Sequence, residues 1–234
     1  MPLEQPDETR VQYVMRRVAE HIGHERLRVG DELPGETSFG ERLGVSRPVV
    51  REAFGALSAL NIIDTCNGRR PRVSALNSRT LSIPLTHAVR TEQISVAQVW
   101  ETRRCLETQI IALAALRRTD VEALRIRELA EAMAVAERGS DALIGFDIAL
   151  HKAIATAARN ALMANMLASL EPLLNAAVPA AWRTRHTDQD HAVVMARHRD
   201  LADSILRRDP EAARRAMEAH FDRAVDALLE DAPG

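Results

Sequence analysis

Residues 45–57 read Val-Ser-Arg-Pro-Val-Val-Arg-Glu-Ala-Phe-Gly-Ala-Leu, and this stretch decides the fold predicted for the N-terminal part of the chain. Ser46 is a good N-cap because its hydroxyl can accept a hydrogen bond from a free amide of the first turn. Pro48 fits that turn because its missing N–H needs no intrahelical partner. Arg47 and Arg51 lie four residues apart on one side of the predicted helix. The apolar residues recur at helical spacing and predict one buried stripe: Val49, Val50, Ala53, Phe54 and Leu57.

A second, shorter helix is predicted just upstream, over residues 37–43, and Gly44 suits the position that ends it. A helix, a tight glycine turn and a capped helix form a helix-turn-helix. The second helix of that motif enters the DNA major groove with its N-terminal residues on the bases. A capped amphipathic helix by itself is ordinary core, so the flanking residues decide between the two interpretations.

A β-hairpin is predicted after the second helix. Its strands would lie on either side of Asn67-Gly68, a strong two-residue turn signal, over residues 62–66 and 71–73. A hairpin in this position is called a wing. Its tip carries Arg69 and Arg70, which are well placed to contact backbone phosphate or the minor groove.

Composition restricts the class of protein. The 234 residues are 46% hydrophobic, 27% charged and only 3% aromatic, which predicts a globular, soluble and mainly helical chain. There is no 18-residue apolar run, the acidic N-terminus lacks the apolar region of a signal peptide, and the two cysteines form no CxxC motif. We therefore expect no membrane association and a cytoplasmic location. Net charge is −2, yet residues 41–73 carry six arginines against three acidic residues.

The N-terminal motifs resemble the winged-helix domain of GntR-family bacterial transcription regulators. The resemblance covers roughly residues 10–76 and rests on positions that agree in order and spacing: Leu33-Pro34-Gly35-Glu36, Leu43-Gly44-Val45-Ser46-Arg47, Val50-Arg51-Glu52-Ala53, Leu57 and Asn67-Gly68. It implies that two arginines of the second helix read a double-stranded operator while neighbouring and wing residues assist. The implied DNA-binding set is Ser46, Arg47, Pro48, Arg51, Gly68 and Arg69.

One position departs from that family pattern. The family usually has an arginine three residues after the proline of the Leu-Pro dipeptide, and Thr37 occupies this place. Because one DNA contact is then absent, we expect an operator that differs from the family's usual one.

Beyond a polar linker at residues 74–80, the pattern is helical nearly to the end of the chain. Helices are predicted over residues 82–89, 96–118, 121–138, 141–158, 162–183, 191–208 and 211–229. Pro172 should kink the helix that contains it. The predicted fold is therefore mainly α, with a winged helix-turn-helix domain over residues 1–76 and an all-α helical bundle over residues 77–234.

Four residues of this bundle predict a divalent-metal site. Asp147 and His151 are four apart on one helix and share a face. His198 and His220 each lie eleven residues from Asp209, so an antiparallel turn there would place the two imidazoles opposite each other. One carboxylate and three imidazoles suit zinc, nickel, manganese or iron. The alternative is ordinary surface or core histidines with a helix-stabilising Asp–His pair.

The same half of the chain resembles the FCD effector-binding domain of the FadR subfamily of these regulators, over roughly residues 80–230. The resemblance rests on residues 101–107, on Ala114-Ala115-Leu116, and on Asp147, His151, His198 and His220. It implies that Asp147 and the three histidines are the metal ligands, with zinc foremost. It also implies that Arg103 pairs with a carboxylate effector and that Trp182 walls the pocket, as in regulators that answer sugar acids such as galactonate.

Alternatives remain for three of these residues. Arg103 can instead form a salt bridge to Glu107, also four apart, and Trp182 can be core packing. His191 lies two turns before His198 and is the substitute metal ligand.

These patterns predict a ligand-responsive, homodimeric transcription regulator rather than an enzyme. A small organic acid held at the metal would set the spacing of two DNA-binding heads on a pseudo-palindromic operator, with repression relieved by the ligand. One alternative is a metal sensor in which the ion is the signal. A metallohydrolase fused to a DNA-binding head needs a further general base, for which we can place no carboxylate. Nonspecific nucleoid binding requires more basic charge than this chain carries.

Overall fold

The chain folds into two compact units in a computed structural model that describes residues 8–65, 69–174 and 187–230. The division falls between Thr80 and Leu81, at the end of the polar linker. The described residues are mainly helical, with one small β-hairpin, which confirms the predicted fold class. None of the helices in these ranges is long and apolar enough to cross a lipid bilayer.

The N-terminal unit contains three helices, α1 (Arg10–His24), α2 (Glu36–Leu43) and α3 (Arg47–Ala59). Helix α1 begins at a capping box in which Thr9 and Gln12 satisfy each other's backbone N–H groups. Helix α2 ends at Gly44, whose φ of 65° lies in the left-handed region that favours glycine. The predicted helix-turn-helix is therefore present.

Ser46 occupies the N-cap position of α3, but its side chain makes no capping hydrogen bond. The expectation of a capping hydroxyl was therefore wrong. Pro48 explains part of this tolerance, because its position in the first turn leaves one fewer backbone N–H to satisfy. The side chain of Ser46 is exposed.

The hairpin consists of β1 (Ile63–Asp64) and β2 (Arg72–Val73), which are shorter than the predicted strands. They pair antiparallel, with Ile63 opposite Val73. An isolated bridge between Glu32 and Arg72 adds a third backbone segment beside β2. The turn predicted at Asn67-Gly68 lies outside the described residues.

The core of this unit contains four of the five residues of the predicted α3 stripe, because Val49 is only half-buried. Phe39 of α2 and Phe54 of α3 meet edge to face with ring centroids 5.7 Å apart. The hairpin contributes Ile63, so α3 is held between α1, α2 and β1. The buried residues of this core are Val14, Val18, Leu33, Phe39, Val50, Ala53, Phe54, Leu57 and Ile63.

The C-terminal unit is an all-α bundle in its described part. Its elements are α4 (Arg79–Arg90), α5 (Val96–Arg117), α6 (Asp120–Val135), α7 (Asp141–Ala157), α8 (Ala161–Leu170), a 3-10 turn (Glu171–Leu174), α9 (Asp188–Leu206) and α10 (Pro210–Glu230). Helix α5 packs against α7, α8, α9 and α10, so it runs through the middle of the bundle.

The long helix predicted over residues 162–183 was wrong. Helix α8 ends at Leu170, and Pro172 lies in the 3-10 turn that follows. Proline lacks the N–H that continues a helix and clashes with the carbonyl four residues earlier. The α-helix therefore ends before Pro172 instead of kinking at it. Helix α4 begins at Arg79, three residues before the predicted start, and Pro84 therefore lies inside it.

Phe39→Ala should destabilise the N-terminal unit by about 3–5 kcal/mol, because it removes a side chain that is 3% exposed and opens a cavity beside Phe54. Amide hydrogen exchange of α3 in the full chain measures this loss. Leu60→Ala is the control, since Leu60 is 49% exposed at the end of the same helix. Equal protection of α3 in both variants would show that the Phe39–Phe54 contact does not stabilise the unit.

Candidate metal centre and nucleic-acid interface

Three histidines from three different helices meet inside the C-terminal unit. They are His151 of α7, His198 of α9 and His220 of α10, and each offers a ring nitrogen within 4.8 Å of the others. The ring centroids of His198 and His220 are 4.7 Å apart, and those of His151 and His220 are 5.1 Å apart. The turn expected at Asp209 joins α9 to α10 and brings the last two histidines together.

Asp147 lies one turn before His151 on α7 and faces the same cluster. Its Oδ1 is 3.0 Å from Nε2 of His198 and 3.6 Å from Nε2 of His151. The Asp147 side chain is 13% exposed. Two imidazole nitrogens on two helices therefore face one carboxylate oxygen.

The other nitrogen of each of these two rings is already used. Nδ1 of His198 lies 2.8 Å from the carbonyl oxygen of Val194, and Nδ1 of His151 is hydrogen-bonded to Oε2 of Glu107. A carbonyl or carboxylate oxygen can only accept, so both Nδ1 atoms must donate. In a neutral ring the lone pair is then on Nε2, the atom that faces Asp147.

A lone pair opposite an anionic oxygen is repulsive unless a proton or a metal ion lies between them. Ligand atoms about 2.1 Å from a divalent ion, and roughly 90–110° apart, are about 3.0–3.5 Å from each other. The separations of 3.0 and 3.6 Å at Asp147 lie close to this range. The residues present therefore fit a divalent cation in both chemistry and spacing.

The electrostatics favour metal-binding protonation states at two of the four positions. Desolvation holds the pKa of His220 well below its usual value, and His198 and His151 add to this effect. Desolvation alone would raise the pKa of Asp147, but the close contact with His198 and the neighbouring imidazoles lower it overall. Asp147 is thus ionised and His220 neutral over the physiological pH range.

A buried ion pair adjoins this cluster on α5. Arg103 donates from Nε to Oε1 of Glu107 at 2.7 Å, so the alternative salt bridge weighed for Arg103 is present. Desolvation alone would raise the pKa of Glu107, but Arg103 and His151 lower it overall. The Arg103 guanidinium carbon also lies 5.0 Å from the ring centroid of Trp100 and 5.6 Å from that of Phe221.

Sequence reasoning missed the contact between Glu107 and His151 and the aromatic packing of Arg103. The sequence carries only a weak signal for the contact between Glu107 and His151, because Glu107 stands out there only by its spacing of four residues from Arg103. Trp182, predicted to wall the pocket, lies outside the described residues. Within the described ranges, the converging group contains His198, and the substitute ligand His191 is not part of it.

A groove with a volume of about 770 Å³ lies on the N-terminal unit. It is formed by the start of α2, the outer face of α3 and both sides of the hairpin. Arg47 is 73% exposed there, and its Nε lies 3.4 Å from Oε2 of Glu36. The lining residues are Gly35, Glu36, Thr37, Ser38, Arg47, Arg51, Phe54, Gly55, Thr65, Arg69, Arg70 and Pro71.

This groove carries four arginines and one glutamate, so its field attracts phosphate. Arg47, Arg51 and Arg69 of the predicted DNA-binding set line it, and Ser46 and Pro48 are exposed beside it at the start of α3. Thr37 lies in the same lining, at the place where the family pattern has arginine. Gly68 lies outside the described residues.

A winged helix-turn-helix followed by a helical bundle with a buried polar centre is the architecture of a bacterial transcription regulator. Residues 10–73 match the family of bacterial regulatory proteins named gntR, and residues 98–223 match the FCD domain. The chain belongs to the GntR family of transcription regulators and carries an FCD domain. The predicted family is therefore confirmed.

Similar proteins include the Glc operon transcriptional activator of Escherichia coli K12. It is 30% identical over 211 residues, which cover 88% of this chain and 83% of that protein. The HTH-type transcriptional regulator LutR of Bacillus subtilis is 30% identical over 153 residues, covering 65% of this chain and 70% of LutR. The transcriptional repressor NanR of Salmonella newport is 28% identical over 198 residues, covering 82% and 75%.

Among solved structures, GntR of Streptococcus agalactiae has the same fold. It superposes with a TM-score of 0.65 at 23% identity and covers 93% of this chain and 99% of its own. The matched families and relatives are DNA-binding transcription regulators and not enzymes. This finding leaves the metallohydrolase alternative without support.

Proposed function

We propose that this regulator binds operator DNA through its N-terminal unit and a small organic acid at a divalent metal in its C-terminal unit. The observation that carries the proposal is the convergence of three imidazoles from three helices, with the Asp147 carboxylate beside two of them. Two of the imidazoles donate from Nδ1 to other groups. Their Nε2 atoms face the carboxylate of Asp147.

Asp147, His151, His198 and His220 would be the ligands, and zinc is the ion we favour, with nickel, manganese or iron as alternatives. The bound ion would supply the positive charge that attracts carboxylate and hydroxyl oxygens of a chelating acid. The chain's own contribution is to hold the four ligand groups and to keep their other hydrogen-bonding atoms satisfied.

Arg103 supplies the second anchor for the acid. Its Nε is used by Glu107, whereas its two terminal nitrogens make no hydrogen bond among the described residues. Those nitrogens form the fork that matches a carboxylate in bidentate geometry. Its position over Trp100 restricts the guanidinium and lowers the entropy that binding would cost. A small carboxylate or sugar acid fits this pairing of a cation and a guanidinium.

The DNA-binding unit would act in pairs. In a homodimer, Arg47 and Arg51 of each α3 read bases of one half-site, while Arg69 contacts the phosphate backbone. Binding of the acid favours one arrangement of the bundle, and a coupling of about 1–3 kcal/mol between the two sites is enough for regulation. We propose that the acid releases a repressor from its operator in the bacterial cytoplasm, although named relatives include an activator and a repressor.

A second candidate function is metal sensing, in which the ion itself is the signal. The observation that favours it is the ion pair of Arg103, whose charge is already matched by Glu107. Isothermal titration of metal-loaded protein with a panel of hydroxy acids separates the two functions. Heat of binding with an acid supports the effector function, and operator release by zinc alone supports metal sensing.

His198→Ala should abolish stoichiometric metal binding while sparing operator binding, because His198 contacts Asp147 at the centre of the cluster. Metal content after dialysis is measured by inductively coupled plasma mass spectrometry. His87→Ala, an exposed histidine on α4, is the matched control. A purified His198→Ala protein that still holds one metal per chain would show that the ligand set is wrong.

Arg103→Ala should leave the metal in place and weaken binding of the acid. The loss of a charge-assisted hydrogen bond is worth about 1.5–3 kcal/mol, or roughly 10- to 150-fold in affinity. Titration calorimetry with galactonate and related acids measures the change. Arg125→Ala, on the exposed face of α6, is the control. Unchanged affinity in Arg103→Ala would assign Arg103 a structural role only.

Arg51→Ala should weaken operator binding by roughly 1–3 kcal/mol, the usual value of a base contact in the major groove. The operator is first selected from random-sequence DNA with the wild-type protein, and affinity is then measured by fluorescence anisotropy at fixed salt. Arg10→Ala removes the same charge from an exposed position outside the groove lining and should have little effect. Equal affinities for both variants would contradict the base contact.

A further inference from the structure

Glu107 is the most deeply buried acidic side chain near the metal centre, with 1% exposure. One of its oxygens accepts from Nε of Arg103 on its own helix, and the other accepts from Nδ1 of His151 on α7. Both oxygens are therefore engaged, by two residues with different proposed tasks. An ionised carboxylate in such a position is costly to bury and persists only when it is paired and hydrogen-bonded.

The bond to His151 has a specific chemical consequence. Because a carboxylate can only accept, the proton of a neutral His151 must be on Nδ1. Its Nε2 then carries the lone pair, and this atom lies 3.6 Å from Oδ1 of Asp147. The hydrogen bond from His151 to Glu107 thus selects the tautomer that can bind a metal through Nε2.

The tautomer of His198 is selected in the same way by a different group. Its Nδ1 donates to the backbone carbonyl of Val194, within its own helix, at 2.8 Å. That partner is neutral and is fixed by the helix itself. Glu107, by contrast, is charged, belongs to another helix, and is shared with Arg103. His151 is therefore the ligand whose tautomer and basicity depend on a side chain of α5.

We propose that Glu107 is a positioning residue that holds His151 in its metal-binding tautomer and Arg103 in its anion-binding position. One carboxylate then links the metal site to the cation that receives the acid. The inference rests on the proposed metal site and adds a role for a residue that touches neither the metal nor the acid.

Replacing the carboxylate by an amide separates this role from simple packing. In Glu107→Gln, the amide oxygen can still accept from Nε of Arg103, but the NH2 group then faces His151 and donates to Nδ1. That bond requires the opposite tautomer, in which Nε2 carries the proton and cannot bind a metal. The rotated amide instead sets its NH2 group against the N–H of Arg103, and two donors then oppose each other.

The experiment compares zinc affinities of the full-length chain by competition with a chromophoric chelator. Glu107→Gln should bind zinc about 10- to 100-fold more weakly than the wild type, the usual effect of losing a hydrogen-bond partner of a ligand. Glu101→Gln is the matched control, because Glu101 is exposed on the same helix, and it should bind like the wild type. Circular dichroism of the zinc-free proteins establishes that all three are folded.

The outcomes are distinguishable. A wild type that binds zinc, together with a folded Glu107→Gln protein of equal affinity, overturns the role of Glu107 and leaves the metal site standing. A wild type that binds no zinc overturns the metal site and this inference together.

A second measurement applies if Glu107→Gln does not fold, because Arg103 would then lose its buried counter-ion. Two-bond ¹H–¹⁵N correlation spectra of the zinc-loaded wild type identify which nitrogen of His151 carries the proton, with His151→Gln providing the assignment. We expect a protonated Nδ1 and zinc on Nε2. Zinc bound through Nδ1 of His151 would overturn the proposal.

Discussion

Two imidazole nitrogens face one carboxylate oxygen in the C-terminal unit, and this contact is stable only when a proton or a metal ion lies between them. Nε2 of His198 and Nε2 of His151 lie 3.0 and 3.6 Å from Oδ1 of Asp147, while both Nδ1 atoms donate elsewhere. The apolar core shared by the surrounding helices holds these groups at this separation. The chemistry proposed for the unit depends on that enforced closeness.

The arginines singled out in the two units lie in opposite environments, one exposed and one buried. Arg47 is 73% exposed, and its contact with Glu36 is a surface ion pair, which contributes little and is readily exchanged for a phosphate or a base. The side chain of Arg103 is 9% exposed, and its pair with Glu107 is shielded from water, so breaking it leaves a buried charge. The first arrangement allows the guanidinium to exchange partners, and the second holds it in place.

Local backbone rules explain which of the predictions made from the sequence were confirmed, and which were wrong, within single helices. The helix-turn-helix followed from the glycine at position 44 and the apolar stripe of α3, and both are present. Pro172 was expected to kink a helix that in fact ends before it, because the periodic apolar pattern continues beyond the point where the backbone can. Ser46 has the position of a cap without the hydrogen bond, since residue type alone does not fix a side-chain torsion.

The sequence by itself determined which polar residues share a face or a turn. The helical repeat places Asp147 beside His151, and equal distances from Asp209 place His198 opposite His220; both follow from local geometry. Only the tertiary structure decided that Glu107 bonds to His151, 44 positions away, because that contact depends on how α5 packs against α7. The packing of Arg103 on Phe221 was likewise decided by the tertiary structure. No periodic pattern carries this information, since packing angles arise from the shapes of many side chains together.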